Sequence, residues 1–275
     1  MKELYIIKLG GSVITEKGKP FSERLEVIQR LAKEVHEARE EKDFALIVGH
    51  GGGSYPHVPA TEFKTHEGVI DDKSYEGIAK VQDAAARLNR IIIREFIAAG
   101  ENAISVQLSS TSVSENGRIK EMYTAPMKMM LDYGMIPVPY GDVGLDTEKG
   151  CCILSTEEII NYLTKHASEA FPGYNLNRIL IGGRVDGVFT GNPDDNADAT
   201  LIPLITPKNI GEVGQYLAES SGIDVTGGMR HKIESMLELA ERGVESEIIN
   251  VLKPGYLKRA LLGEEGIGTI VRGEE

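Results

Sequence analysis

Hydrophobic residues along this chain fall into short apolar runs separated by longer stretches of helical period. Residues 4–9 and 44–48 are aliphatic runs bounded by charged residues or glycine, which is typical of strands buried in a parallel sheet. Residues 23–40 and 75–99 carry apolar side chains three and four positions apart. This spacing predicts two amphipathic helices, the second ending at Gly100.

The rest of the chain continues this alternation and adds two hairpins. Residues 109–122 predict two strands joined by a turn at Glu115-Asn116-Gly117, and a second hairpin turns at residues 147–150. Residues 58–74 are polar and irregular, and we predict a mobile flap there. Further strands are predicted at residues 103–107, 136–139, 151–154, 178–181, 247–251 and 269–271, and further helices at residues 125–133, at residues 155–166 and after residue 229.

Because strands and helices alternate throughout, we expect an α/β protein with a largely parallel central sheet. The chain has no Pro/Ser-rich linker and no repeat. We therefore expect a single domain over residues 1–275, with one lobe before about residue 175 and a second lobe after it.

Two of the predicted strands run directly into glycine. Gly10-Gly11-Ser12 follows the first strand, and Gly51-Gly52-Gly53 follows the second. Glycine lets backbone N–H groups approach an anion closely, and ligands of doubly wound sheets bind outside the carboxyl ends of the strands. The two junctions, one with Lys8 and the other with His57, suggest one shared anionic site. Neither is a Walker A or GxGxxG motif, and each alone is compatible with an ordinary tight turn.

Composition and charge narrow the class of partner. The 275 residues carry a net charge of −12, and a nucleic-acid-binding protein would usually be basic. The two cysteines, Cys151 and Cys152, are adjacent, and we interpret them as thiols in a reducing cytoplasm. No apolar run approaches the ~20 residues of a membrane span, and we expect neither a membrane span nor a signal peptide.

Lysines near the glycines suggest chemistry on phosphate. Lys8 and Lys17 accompany the first junction, and Lys232 follows a third glycine pair, Gly227-Gly228. Phosphoryl transfer needs two anionic groups held in line with their charge offset, which lysines and N–H groups at helix starts can supply. Lys17 and Lys232 are equally compatible with solvated surface charges. Asp142 could hold a lysine or a metal-bound water, or be a turn aspartate.

In this order along the chain, the motifs resemble the amino-acid-kinase superfamily and, within it, the isopentenyl phosphate kinases. The resemblance rests on KLGGSVIT at residues 8–15 with Lys17, HGGGSYPH at 50–57, YGDV at 140–143, VDGVF at 185–189 with Asn192 and Pro193, DVTGGM at 224–229 with Lys232, and GVESEIIN at 243–250.

The resemblance implies a three-layer αβα sandwich with a mostly parallel central sheet. It implies an acceptor-binding and dimerisation lobe at residues 1–175, a nucleotide-binding lobe at residues 176–275, and a cytoplasmic homodimer. It also implies an ATP- and Mg²⁺-dependent kinase that phosphorylates isopentenyl phosphate to isopentenyl diphosphate in archaeal-type (mevalonate) isoprenoid biosynthesis.

The resemblance also implies roles for individual residues. Lys8, Lys17 and His57 would be catalytic, with His57 hydrogen-bonded to the acceptor phosphate and the glycines of both loops presenting N–H groups. The helix from Gly77 to Phe96 would wall a pocket for the isoprenoid tail, although such a stripe is more often plain core. The acceptor would be bound by Gly51, Gly52, Gly53, Ser54, His57, Ile78, Val81 and Asp142. The nucleotide would be bound by Lys8, Gly10, Gly11, Ser12, Lys17, Glu157, Gly183, Asp186, Gly191, Gly228 and Lys232, and no residue is assigned to a metal.

Three positions depart from the pattern of the family. Pro56 stands in Ser54-Tyr55-Pro56-His57 where Ser-Phe-Gly-His is usual, and proline fixes φ and removes one N–H donor. Thr156-Glu157 replaces Gly-Asp in the segment that organises the lysines, and Arg184 replaces an aspartate in the nucleotide half. The last two leave open a sensor or storage protein that binds nucleotide without catalysis. A kinase with another acceptor, such as a phosphonate (fosfomycin-kinase-like), another alkyl phosphate or a carboxylate, is the third possibility.

Overall fold

The computed structural model describes residues 1–16, 18–191, 196, 198–219 and 228–273, with the backbone alone described at residues 217–219 and 228–232. The strands are β1 Lys2–Leu9, β2 Ala45–His50, β3 Ala103–Val106, β4 Ser112–Glu115, β5 Arg118–Met122, β6 Ile136–Pro139, β7 Asp142–Asp146, β8 Gly150–Leu154, β9 Tyr174–Gly183, β10 Val188–Phe189, β11 Leu201–Ile202, β12 Leu204–Ile205, β13 Glu245–Asn250 and β14 Gly268–Val271. The helices are α1 Gly11–Ile14, α2 Leu25–Glu41, α3 His57–Glu62, α4 Lys73–Ala98, α5 Leu108–Thr111, α6 Ala125–Asp132, α7 Thr156–Lys165, α8 Ala167–Ala170, α9 Ile210–Glu219, α10 Gly228–Ala240 and α11 Tyr256–Leu262.

One six-stranded sheet organises the molecule, in the order β12-β14-β13-β9-β1-β2. All neighbours in it are parallel except β13 and β14. A parallel bridge between His50 and Tyr140 continues this sheet from β2 toward the parallel pair β3 and β6. The prediction of a largely parallel central sheet is confirmed.

Side chains alternate between the two faces of β1, and each face is covered by helices. Tyr5, Ile7 and Leu9 pack into a core with α2, α4 and α11. Leu4 and Ile6 pack on the opposite side with α6, α7 and Leu239 of α10. Helices on both faces of a parallel sheet give the expected three-layer αβα sandwich.

The second, four-stranded sheet contains both predicted hairpins in the order β5-β4-β7-β8. Asn116 and Gly117 have positive φ, as a two-residue hairpin turn requires. The Asp146 carboxylate accepts the N–H groups of Asn116 and Gly117 in this turn, and of Glu148 and Lys149 in the other turn. One buried carboxylate therefore holds both hairpins together.

The irregular conformation predicted for the flap at residues 58–74 is wrong in part. Residues 57–62 form α3, and α4 already begins at Lys73. Pro56 lies directly before α3, where proline's fixed φ suits a helix start, and the hydroxyl of Thr61 donates to the carbonyl of His57 at 2.8 Å. The polar composition of the segment hid this short helix.

The two predicted lobes share one sheet and are also joined by side chains. β1 and β2 lie before residue 175, whereas β13 and β14 lie after it, in the same sheet. Glu34 of α2 accepts the N–H groups of Gly255, Leu257 and Lys258 at the start of α11. Arg30 donates to the carbonyl of Val251 at 2.6 Å.

Candidate active site

The structure brings the two glycine junctions together at the carboxyl ends of β1 and β2. Lys8 lies opposite Gly49 in the parallel register of these strands. A Cβ atom at Gly11 would lie 2.5 Å from the nitrogen of Gly53 and 2.7 Å from its Cα. Such a separation is far below van der Waals contact, so the backbones of the two loops touch directly at Gly11 and Gly53. The hydroxyl of Thr15 also connects the two loops, because it accepts a hydrogen bond from Ser54 N at 3.0 Å and donates one to Gly11 O at 2.8 Å.

A cavity of about 960 Å³ opens beside these loops. Lys8 and the two glycine loops line it, together with the apolar side chains of Val58, Ala60, Val81 and Ile153. Of the residues named from the sequence, it gathers Lys8, Gly11, Ser12, Gly51, Gly52, Gly53, Ser54, His57, Val81, Asp142 and Glu157.

Lys8 projects from the buried strand β1 and pairs with Glu157 at 2.5 Å between Nζ and Oε1. Its side chain is 12% exposed, and a lysine so enclosed needs a partner for its charge. Ser155 caps α7 by accepting from Glu158 N at 3.1 Å, which places Glu157 in the first turn. The longer carboxylate therefore still reaches the lysine. Lys8 also lines a second cavity of about 310 Å³ that lies between α7 and α10.

Two of the glycines cannot present their N–H groups as predicted. Gly10 N donates to Gly182 O and Gly51 N donates to Leu9 O, both at 2.9 Å. Both N–H groups join the loops to neighbouring strands, so the prediction that they bind phosphate is wrong. Gly11 and Ser12 begin α1, where the first N–H groups have no intrahelical acceptor.

His57 is the first residue of α3 and lines the cavity. Pro56 packs over Gly52, since a Cβ on that glycine would collide with the proline ring. His66, to which the sequence assigned no role, also lines the cavity with a side chain that is 63% exposed. Its local sequence does not indicate this position, because the β7–β8 hairpin and α4 bring His66 to the cavity.

The predicted acceptor residues Ile78 and Asp142 have other partners in the structure. Ile78 packs with Val81, Val143 and Cys151 in a small cluster, whereas Val81 lines the cavity. Asp142 accepts from the N–H and the hydroxyl of Ser109 at 3.2 and 2.8 Å, and from Val143 N at 2.9 Å. Burial raises the pKa of Asp142. Ile78 therefore supports the cavity wall from behind Val81, which corrects the expectation that it contacts the acceptor. Asp142 lines the cavity as predicted, with its carboxylate held by Ser109 and Val143.

The predicted nucleotide residues are only partly described. Gly183 ends β9, and Asp186 just beyond it is held by Lys253 at 2.8 Å and Asn250 at 3.0 Å. Burial opposes the charge of Asp186, but these two partners outweigh it and lower its pKa. Arg184 lines the larger cavity. Gly191 lies near Asn196, and Gly228 begins α10. Lys17 and the side chain of Lys232 lie outside the described residues.

Within the part of the chain that the structure describes, no three His, Cys, Asp or Glu side chains cluster so as to hold a metal ion. No described helix is long and apolar enough to cross a membrane.

Comparison with known proteins assigns this fold and its glycine loops to a family. The model of the amino acid kinase family matches residues 3–250. The chain therefore belongs to the amino acid kinase family. The isopentenyl phosphate kinase of Methanothermobacter thermautotrophicus is 36% identical, with 98% of this chain and 100% of that protein aligned. The isopentenyl phosphate kinase of Methanocaldococcus jannaschii is 33% identical over 95% of this chain and 96% of that protein. A solved structure of isopentenyl phosphate kinase superposes with a TM-score of 0.78 at 33% identity, covering 98% of this chain and 100% of that chain.

Proposed function

We propose that this protein transfers the terminal phosphoryl group of ATP to isopentenyl phosphate and releases isopentenyl diphosphate and ADP. The observation that carries this proposal is that Lys8, both glycine loops and His57 line one cavity together with apolar side chains. An acceptor with a phosphate head and a short hydrocarbon tail matches this combination of anion-binding groups and apolar side chains.

The catalytic effect is charge neutralisation and alignment. Lys8, kept in place by Glu157, and Lys17 offset charge on the transferring group, and the N–H groups of Gly11 and Gly52 bind phosphate oxygens. His57 hydrogen-bonds the acceptor phosphate. No general base is required, because the attacking oxygen of the acceptor is already anionic.

The apolar tail lies against Val81 and Ile153, with Val58 and Ala60 on the side of α3. Ile78 acts behind this wall by packing on Val81. The prediction that the apolar face of α4 walls the pocket therefore rests on Val81 alone, and most of that face belongs to the hydrophobic core.

The nucleotide lies toward residues 176–275, where Gly183, Asp186, Gly191, Gly228 and Lys232 are placed by resemblance. Mg²⁺ in such sites is held largely by substrate phosphates with one or two protein carboxylates. Of the carboxylates that line the cavity, Glu157 is paired with Lys8 and Asp142 with Ser109, so an ion that arrives with ATP would be held chiefly by the substrate phosphates. A cytoplasmic homodimer, formed through the lobe of residues 1–175, is also proposed from the resemblance.

The test is acceptor-dependent ADP release at saturating Mg-ATP with isopentenyl phosphate, dimethylallyl phosphate, fosfomycin, a carboxylate acceptor or no acceptor. We expect turnover of the two prenyl phosphates, and turnover of fosfomycin or of the carboxylate alone would contradict the proposal. ATP binding without ADP release for every acceptor would indicate a sensor. Lys8→Met should abolish turnover, whereas Lys2→Met, at the other end of the same strand and paired with Asp43, is the matched control that should leave it unchanged.

A further inference from the structure

His50 is a fully buried histidine directly before the second glycine loop. Its Nδ1 lies 3.0 Å from the carbonyl oxygen of Gly51, and its Nε2 lies 3.0 Å from Nδ2 of Asn89 in α4. The ring stacks on Tyr140 with 5.6 Å between centroids. The side chain therefore links the glycine loop to the middle of the longest helix.

These contacts fix which ring nitrogen carries the proton. A carbonyl oxygen can only accept, so Nδ1 must be protonated and donate to Gly51 O. Nε2 then accepts from the amide NH₂ of Asn89, whose nitrogen also lies 3.4 Å from Val138 O. Burial lowers the pKa of His50 to about 4, so the ring is neutral at physiological pH.

These contacts also determine the orientation of the peptide group between Gly51 and Gly52. The Gly51–Gly52 peptide is planar and trans, so its N–H points away from the side on which its carbonyl lies. His50 holds that carbonyl, and the N–H of Gly52 points to the opposite side. Both glycines line the cavity, and among the residues that the structure describes no acceptor pairs with this N–H. Gly141, which also lines the cavity, is a near neighbour of this N–H, since a Cβ on Gly141 would be in van der Waals contact with Gly52 N at 3.4 Å.

We infer that His50, oriented by Asn89, is a positioning residue that locks the Gly51–Gly52 peptide so that the N–H of Gly52 donates to a substrate phosphate. Peptides between glycines rotate easily because no side chain restricts them. A preorganised donor stabilises developing charge only if it is held in place before the reaction. The role rests on the proposed kinase function.

The first test needs no substitution. Two-dimensional ¹⁵N NMR of the histidine rings in the wild-type protein should show His50 as the neutral Nδ1–H tautomer between pH 5.5 and 8. Inorganic phosphate should shift the amide resonance of Gly52. An Nε2–H tautomer, or a Gly52 amide indifferent to phosphate, would overturn the inference.

Two substitutions separate positioning from packing. Asparagine can place its amide near the position of Nδ1, so His50→Asn should keep kcat within about threefold while losing stability. His50→Leu fills the volume without a donor and should lower kcat/KM for isopentenyl phosphate by roughly 10- to 100-fold. Equal losses in two folded variants, or full activity of His50→Leu, would refute the role.

Asn89→Ala should lower kcat/KM by about tenfold and give a mixture of His50 tautomers. The matched control is Asn177→Ala, which removes an asparagine that donates to Glu3 at the other end of the sheet, and it should leave both readouts unchanged. If the wild type turns over no isopentenyl phosphate, the proposed function fails. The NMR measurements with inorganic phosphate still decide whether His50 positions this peptide.

Discussion

Replacing Gly11 by alanine tests the contact on which the shared site depends. A methyl group here would lie 2.5 Å from Gly53 N and 2.7 Å from Gly53 Cα. Both atoms belong to backbone, so no side chain can rotate away. Since ordinary contact begins at about 3.4 Å, the two loops would have to part by roughly 1 Å.

Such a displacement has a calculable effect on activity. A misplacement of about 1 Å between reacting groups costs about 100-fold in rate, which corresponds to about 2.7 kcal/mol in the barrier. Inserting a methyl group into a packed position costs about 1–3 kcal/mol of stability. We therefore expect Gly11→Ala to fold with a reduced free energy of unfolding and to lose about two orders of magnitude in kcat/KM.

The assay is ADP release at saturating ATP with varied isopentenyl phosphate, alongside urea unfolding. The matched control is Gly214→Ala in α9, where an added Cβ would meet no described atom within 4 Å. It should leave kcat/KM unchanged and stabilise the helix by at most about 1 kcal/mol. A folded Gly11→Ala protein with kcat/KM within threefold of the wild type would refute the proposed contact between the loops.

Three further substitutions address the cavity and the second sheet. His57→Ala should raise KM for isopentenyl phosphate by about tenfold or more, because a hydrogen bond to a charged group is lost. ATP binding, measured by calorimetry, should not change. A weakened ATP affinity with a normal KM for the acceptor would contradict the assignment of His57 to the acceptor phosphate. Glu157→Gln should lower kcat about fivefold, since a half-exposed ion pair to Lys8 contributes about 1 kcal/mol. Glu157→Asp should recover part of this loss. Equal kcat for the wild type and both variants would show that the ion pair does not position Lys8. Asp146→Asn should cost about 2 kcal/mol of unfolding free energy at pH 7 without changing kcat. Burial opposes the charge of Asp146, but the four backbone donors lower its pKa to about 2, so its contribution is complete above about pH 4 and is lost as the pH falls toward 2. Urea unfolding at pH 7 and pH 2.5 should therefore show a large difference between the proteins at the higher pH and a smaller one at the lower pH.

Much of the fold could be predicted because the hydrophobic pattern carries it. The aliphatic run at residues 4–9 is buried on both faces in β1, and the stripe before Gly100 became α4 within two residues of its predicted start. The short helix α3 was missed because residues 57–62 have no apolar period, and its start depends on Pro56.

The residue types at the candidate site were also predictable, but their partners were not. Glycine after a strand indicates close backbone approach, and the meeting of Gly11 with Gly53 is consistent with that reasoning. Which N–H groups stay available depends on strand neighbours, and the sequence does not show that Gly51 N–H donates to Leu9 O. The role inferred for His50 was also hidden, because it depends on Asn89 lying 39 positions further along the chain.

The strand order of the central sheet has a consequence for synthesis on the ribosome. β1 is made first, yet one of its two neighbours is β9, which is complete only when residue 183 has been translated. Until then one edge of a strongly hydrophobic strand has no partner, and exposed strand edges promote aggregation. The other side of the sheet is completed later still, because β14 comprises Gly268–Val271. We therefore expect nascent chains that end before residue 183 to associate with chaperones.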